Sequence, residues 1–210
     1  MKFDLNLSDK LYVRNLSSYL TLAKDNLKSF EKQNEDFAAK LVDETGNSDW
    51  LEEGSRLNNI SWLFLNALYI TMYSSFEHYL LKAAKKIEQL PNNKISLEHS
   101  GRGVLNQYIN YLHLTGNLSS ADRSKSPWDK ISQYQDVRNL LVHNGGIMQK
   151  DLNKPLEQHK NFKFLQTQDV IMAGSLGLIR IRNIFILESF AKVSSKITKD
   201  IMDEFNKLYG

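Results

Sequence analysis

Six consecutive residues, Arg138-Asn139-Leu140-Leu141-Val142-His143, contain the side-chain types that phosphodiester chemistry needs. An arginine keeps its charge at every working pH, whereas an imidazole titrates near neutrality and can take or give a proton. Spacing matters as much as type. At about 100° per residue, Asn139 and His143 share one face of a helix. Arg138 lies roughly 140° from His143 around the axis, but its long side chain curls back to the same spot. If RNA lies there, the reaction this trio suits is attack of a ribose 2′-hydroxyl on its own phosphorus. That reaction needs a base for the hydroxyl proton, an acid for the leaving 5′-oxygen and positive charge for the phosphorane oxygens. The plainer account of the same residues is a solvated arginine and a histidine favoured by the negative end of a helix.

The element that must carry these residues has clear signals. Ser126-Pro127 reads as an N-cap followed by proline at the first helical position. Trp128, Ile131, Tyr134, Val137, Leu140 and Leu141 form an apolar stripe, and Gly145-Gly146 stops the helix after Asn144. Leu140 and Leu141 then pack inward, and Arg138, Asn139 and His143 project from the opposite side. A first long helix is expected from a cap at Ser8 to the Thr45-Gly46-Asn47 turn. A second, capped by Ser48, runs from Asp49 to Gln89 and is apolar nearly all round at its centre. A third runs from Ser96 or Ser100 to Leu114, and a last from Ser175 or Leu178 to Leu208. Residues 147–177 lack a helical period, and Phe162–Leu165 and Asp169–Met172 read as two short strands or a packed loop. The expected fold is therefore all-α. Long antiparallel helices form one bundle-like domain over residues 1–210, with an irregular or hairpin-like insertion after the motif helix.

Composition narrows the classes. A chain of 210 residues, 41% hydrophobic and 24% charged, can bury one sizeable core and is not disordered. Three prolines and ten glycines are few for a sandwich or barrel. The net charge of +3 permits a polyanionic partner without demanding one. Absence of cysteine excludes disulfide scaffolds, thiolate zinc sites and thiol nucleophiles. The greasiest stretch, Ile60 to Tyr73, is too short for a bilayer span, and the first residues have no signal-peptide core. A cytoplasmic location is expected.

The R-N-x-x-x-H pattern, on a long helix of an all-α chain, resembles the signature of the HEPN superfamily, many of whose members are metal-independent ribonucleases. The resemblance covers about Leu57 to Phe190, and the six-residue motif is its specific part. The long N-terminal helix and the 147–177 insertion depart from it. It implies His143 as acid or base, Arg138 as a two-pronged phosphate grip, and Asn139 as an orienter of the phosphate or of the His143 tautomer. Asn144 is a supporting residue at the helix end. The resemblance also implies a homodimer in which Arg138 and His143 of each protomer build one composite cleft, with no cofactor and no metal. HEPN-like proteins often direct a polar or acidic residue of the second helix at the motif. Glu77 would fill that place, an ion pair with Lys82 being the alternative. RNA is the implied substrate, a toxin or phage-defence effector the implied role, and a separate antitoxin chain the implied restraint; no membrane partner is expected. The rival reading is a non-catalytic module of the same fold that binds RNA or a nucleotide, or dimerises as an adaptor.

The remaining polar residues carry weaker signals. His99, His113 and His159 have no metal-ligand spacing, and His78 points about 100° away from Glu77. Gly101-Arg102-Gly103 follows no strand and lacks a P-loop lysine. Ser74 and Ser75 have no oxyanion-hole signal nearby. Arg180, Arg182, Lys160 and Lys163 read as scattered surface charge, the alternative being that they line an RNA path, and Trp50, Trp62 and Trp128 read as core.

Overall fold

The structure, a computed structural model, describes residues 5–43, 49–99 and 104–210. The chain is 72% helical, and the described residues hold one small two-stranded sheet, so the all-α class holds. The described helices are α1 (Leu5–Asp43), α2 (Asp49–Glu88), α3 (Val104–Asn110), α4 (Trp128–His143), α5 (Phe162–Thr167) and α6 (Phe185–Tyr209), with strands β1 (Ile171–Ala173) and β2 (Leu178–Arg180) before α6. No described helix is long and apolar enough to cross a membrane. The expected Thr45-Gly46-Asn47 turn, the Ser48 cap, Ser100 and Gly101-Arg102-Gly103 lie outside the described residues.

Several boundaries differ from those the sequence predicts, each for a physical reason. Helix α1 is already formed at Leu5, so Ser8 is not its cap. Ser8 and Asp9 are each only 8% exposed, and Asp9 bonds to Thr198; this packing overrides the local capping signal. Helix α3 is shorter than expected and passes into a single π turn at Tyr111–Thr115, where the Gly116 N–H reaches back to the Tyr111 carbonyl at 2.9 Å. Helix α4 starts at Trp128. The Pro127 carbonyl accepts its first bonds, from the N–H groups of Lys130 and Ile131, so Pro127 sits at the cap rather than in the first turn. Phe162–Leu165 lies in a helix, α5, and not in a strand. Leu178–Arg180, expected at the start of the last helix, is the second strand of a hairpin, and α6 begins only at Phe185.

The chain divides into two compact units interleaved along the sequence. The first comprises the residues up to Ser17, Thr71–Gln135 and Ser189–Gly210. Its core holds an aromatic cluster among aliphatic side chains. Phe190, fully buried, stacks on Tyr73 at 5.6 Å and meets Phe76 and Tyr134 edge-on at 6.0 and 5.3 Å. Two buried tyrosine hydroxyls are satisfied across long sequence separations. Tyr12 donates to Ser194 Oγ at 2.7 Å, and Tyr79 to the Thr198 carbonyl at 3.0 Å. Burial pushes both phenols well above the ordinary tyrosine value. The Glu204 carboxylate accepts the Ser119 and Ser120 N–H groups at 2.8 and 2.7 Å, anchoring the one-turn helix Ser119–Ala121.

The second unit comprises Ser18–Ile70 and Asp136–Glu188. Its buried side chains are mainly aliphatic, among them Leu65, Leu68, Val137, Leu165, Ile179 and Leu187. Two amides, Asn66 and Asn161, are buried with them. Asn66 donates to the Ile179 carbonyl at 3.1 Å and accepts the Ile181 N–H at 3.2 Å, so a side chain of α2 pairs with β2 as a neighbouring strand would. Arg180 lies over the Trp62 ring, 5.3 Å from its centroid. Strands β1 and β2 pair antiparallel with Met172 opposite Ile179, closed by a turn in which Gly174 and Gly177 both have positive φ. The chain leaving α4 is held on the other side of β2. Ile179 donates to the Gly146 carbonyl at 2.9 Å, Ile147 bridges Leu178, and Met148 and Gln149 bond back to Gly177 and Leu176.

Candidate active site

The motif falls on the last two turns of α4, within the second unit. Val137 and Leu140 are 0% and 7% exposed and fasten this end of the helix, while Leu141 is only half-buried. Helix α4 then stops because Gly145 and Gly146 take φ of +60° and +79°, a region that side chains disfavour. The Leu140 carbonyl accepts both the Asn144 N–H at 3.1 Å and the Gly146 N–H at 2.9 Å. The exposed side of this capped end carries the polar residues.

The sequence expectation that Arg138 curls toward His143 is met in distances. Arg138 Nη1 lies 3.2 Å from His143 Nε2 and donates to Asn139 Oδ1 at 3.1 Å. One guanidinium nitrogen therefore links all three motif residues. Arginine can only donate, so the contact to His143 forms with Nε2 unprotonated and its lone pair facing the guanidinium. Arg138 and Asn139 are half-buried, whereas His143 is exposed, as is Val142 one turn beyond Arg138. A small basic-and-neutral pair at an exposed helix end suits an anionic ligand arriving from solvent. Such a ligand would take the Arg138 donors and release the imidazole nitrogen.

Glu77 is half-buried in the first unit, close enough to Tyr108 that its carboxylate adds to burial in raising that phenol. Asn144 is exposed and contributes its backbone N–H to the end of α4. Among the described residues no group of three or more His, Asp or Glu is placed to hold a metal ion. Trp128 is buried as expected, and Trp62 is only half-buried beneath Arg180.

One pair beside the motif is not visible in the sequence. Lys160 is not scattered charge but forms a 2.7 Å ion pair with Asp136, two residues before Arg138. The one available signal is the seven-residue interval from Asp136 to His143, which places them on one stripe of the helix. Next to the pair, His159 Nδ1 accepts the Asn161 N–H at 3.2 Å. Burial and the adjacent Lys160 hold the His159 imidazole below the ordinary histidine value, against the opposing pull of Asp136.

No family model matches the chain, and no curated protein or solved structure is significantly similar to it.

Proposed function

We propose that the chain is a metal-independent endoribonuclease of the HEPN type. The observation that carries the reading is the link from Arg138 Nη1 to His143 Nε2 and Asn139 Oδ1 on an exposed, firmly capped helix end. A phosphodiester entering there replaces His143 as the acceptor of the Arg138 donors, since a phosphate oxygen takes the guanidinium fork more strongly than a neutral imidazole does. His143 Nε2 then removes the 2′-hydroxyl proton. The 2′-oxygen bonds to phosphorus, Arg138 stabilises the charge gathering on the non-bridging oxygens, and the bond to the 5′-oxygen breaks. A second imidazole protonates the leaving 5′-oxygen. The products are a 2′,3′-cyclic phosphate and a 5′-hydroxyl.

That second imidazole is assigned to the partner subunit's His143 in a homodimer with a composite cleft. Exposed Val142, one turn from Arg138, gives this face an apolar contact for a second copy. Asn139, already bonded to Arg138, keeps the guanidinium in place. An activity of this kind harms its own cell, so we assign the protein to a toxin or phage-defence role, in the cytoplasm, restrained by a separate antitoxin chain.

The chemistry is tested with an oligoribonucleotide carrying a single 2′-deoxy substitution. Cleavage should continue at every other site in EDTA, stop at the 3′-phosphate of the substituted sugar, and leave cyclic phosphate ends. Cleavage at the 2′-deoxy position, or 5′-phosphate ends, would overturn the mechanism. Tight RNA binding without any product would move the assignment to the non-catalytic module.

A further inference from the structure

The segment after the motif helix folds a basic pocket onto the second unit. A cavity of about 510 Å³ is lined by Lys150, Lys154, Lys160, Gln149, Gln158 and His159, with Asp151 and Pro155. Its floor is ordered by side-chain bonds. Gln149 Nε2 donates to the Lys154 and Ser175 carbonyls at 2.6 and 3.1 Å, which ties the Lys150–Lys154 loop to the hairpin turn. Asp151 accepts the Asn153 N–H at 3.0 Å and meets Lys154 Nζ only at 4.0 Å. Three lysines face Asp151 in the lining and Asp136 on Lys160, which leaves one positive charge in excess. Lys160 fixes its position relative to the motif, because its 2.7 Å bond to Asp136 lands on α4. Asp136 and His143 are seven residues apart, hence on the same stripe and about 10 Å apart along the axis. Lys160, which lines the pocket, thus meets α4 on the stripe that also carries His143.

Resting on the nuclease reading, we propose that this pocket is a phosphate subsite of the RNA strand, holding a neighbouring phosphate of the strand whose scissile phosphate lies at Arg138 and His143. Lys150, Lys154 and Lys160 are positioning residues there. They supply the charge that a single-stranded backbone requires, and Gln158 and His159 Nε2 supply donors without charge. Asp136 holds Lys160 in place but repels the strand. The subsite therefore makes a prediction that a purely structural clamp does not: removing the Asp136 charge should tighten RNA binding.

The test uses the full chain and a fluorescent, uncleavable 2′-O-methyl RNA of ~12 nucleotides, followed by anisotropy over a salt series. Lys150→Ala/Lys154→Ala and Lys160→Ala should each weaken binding about two- to fivefold per lysine. The slope of log affinity against log salt should fall by about 0.7 for each phosphate that a removed lysine had neutralised. Asp136→Asn should bind more tightly than wild type. With cleavable RNA, the lysine variants should raise KM for the long strand, leave kcat unchanged and leave a dinucleotide substrate unaffected. Unchanged affinity and salt slope in the lysine variants would overturn the subsite, even if wild type cleaves and His143→Ala does not. Weakened binding by lysine variants of a wild type that never cleaves would keep the subsite and remove the nuclease. Displacement of the strand by inorganic phosphate alone at equal concentration would replace the strand subsite with a small-anion site.

Discussion

The two units bury different things and expose different things. The first packs aromatic rings around Phe190 and ties two buried tyrosine hydroxyls to distant partners, Tyr12 to Ser194 and Tyr79 to the Thr198 carbonyl. The second packs mainly aliphatic side chains, uses the Asn66 amide to hold β2, and carries Arg138, Asn139, His143 and the lysine pocket at its surface. The difference separates two kinds of residue. Rings and buried amides decide whether the chain folds, while the motif side chains rest on helix α4 without supporting it. Stability and activity are therefore expected to respond to different substitutions.

The largest stability effect should come from the aromatic core. Phe190→Ala removes a fully buried ring with three aromatic neighbours and should cost about 3–5 kcal/mol in urea denaturation. Asn66→Ala, its counterpart in the second unit, leaves the Ile179 carbonyl and the Ile181 N–H without their partner. It should cost about 1–3 kcal/mol and speed amide exchange at Ile181 before that of α6. Equal costs at the two positions would erase the contrast between the cores.

A smaller effect is expected at Glu204. Burial raises its carboxyl, but the bonds from Ser120 and Ser119 outweigh burial and bring it down to about 2, against an unfolded value of 4.5. A lowered carboxyl stabilises the fold above the unfolded value, and the contribution is lost as pH falls from 4.5 through about 2. Glu204→Gln should cost about 1 kcal/mol or less at neutral pH, given partial solvent screening, with the gap from wild type closing in acid. A gap that persists at the acid end would mean that charge is not what the serine N–H groups recognise. Smallest of all, His143→Ala should move stability by no more than about 0.5 kcal/mol, since its side chain meets solvent, whereas half-buried Arg138→Ala should cost somewhat more through lost packing. Arg138→Lys keeps a positive charge without the fork and should recover only part of the activity that Arg138→Ala loses.

Much of the scaffold is legible in the residues. The long apolar periods of α2, α4 and α6 are read directly, and Gly145-Gly146 marks the end of α4 because both glycines occupy conformations that other residues resist. Short apolar runs are not legible. Phe162-Lys163-Phe164-Leu165 alternates as a strand does but forms a helical turn, with the buried Asn161 carbonyl accepting the Leu165 N–H at 3.0 Å. Leu178-Ile179-Arg180 reads as the front of a helix but pairs with β1, because Asn66 and the chain after Gly146 supply strand partners from far along the sequence. In the candidate site, the approach of Arg138 to His143 follows from helix geometry. The Lys160–Asp136 bond does not, because it depends on how the 147–177 segment folds back.

The central claim is that Arg138 and His143 together cleave RNA, and one comparison addresses it most directly. Purified wild type and His143→Ala, matched for folding by their urea curves, are incubated with total RNA in EDTA. Wild type should cleave, and His143→Ala should be slower by about 10²-fold or more, the share expected of a positioned acid or base. Equal cleavage by the two proteins, or none by wild type, would contradict it.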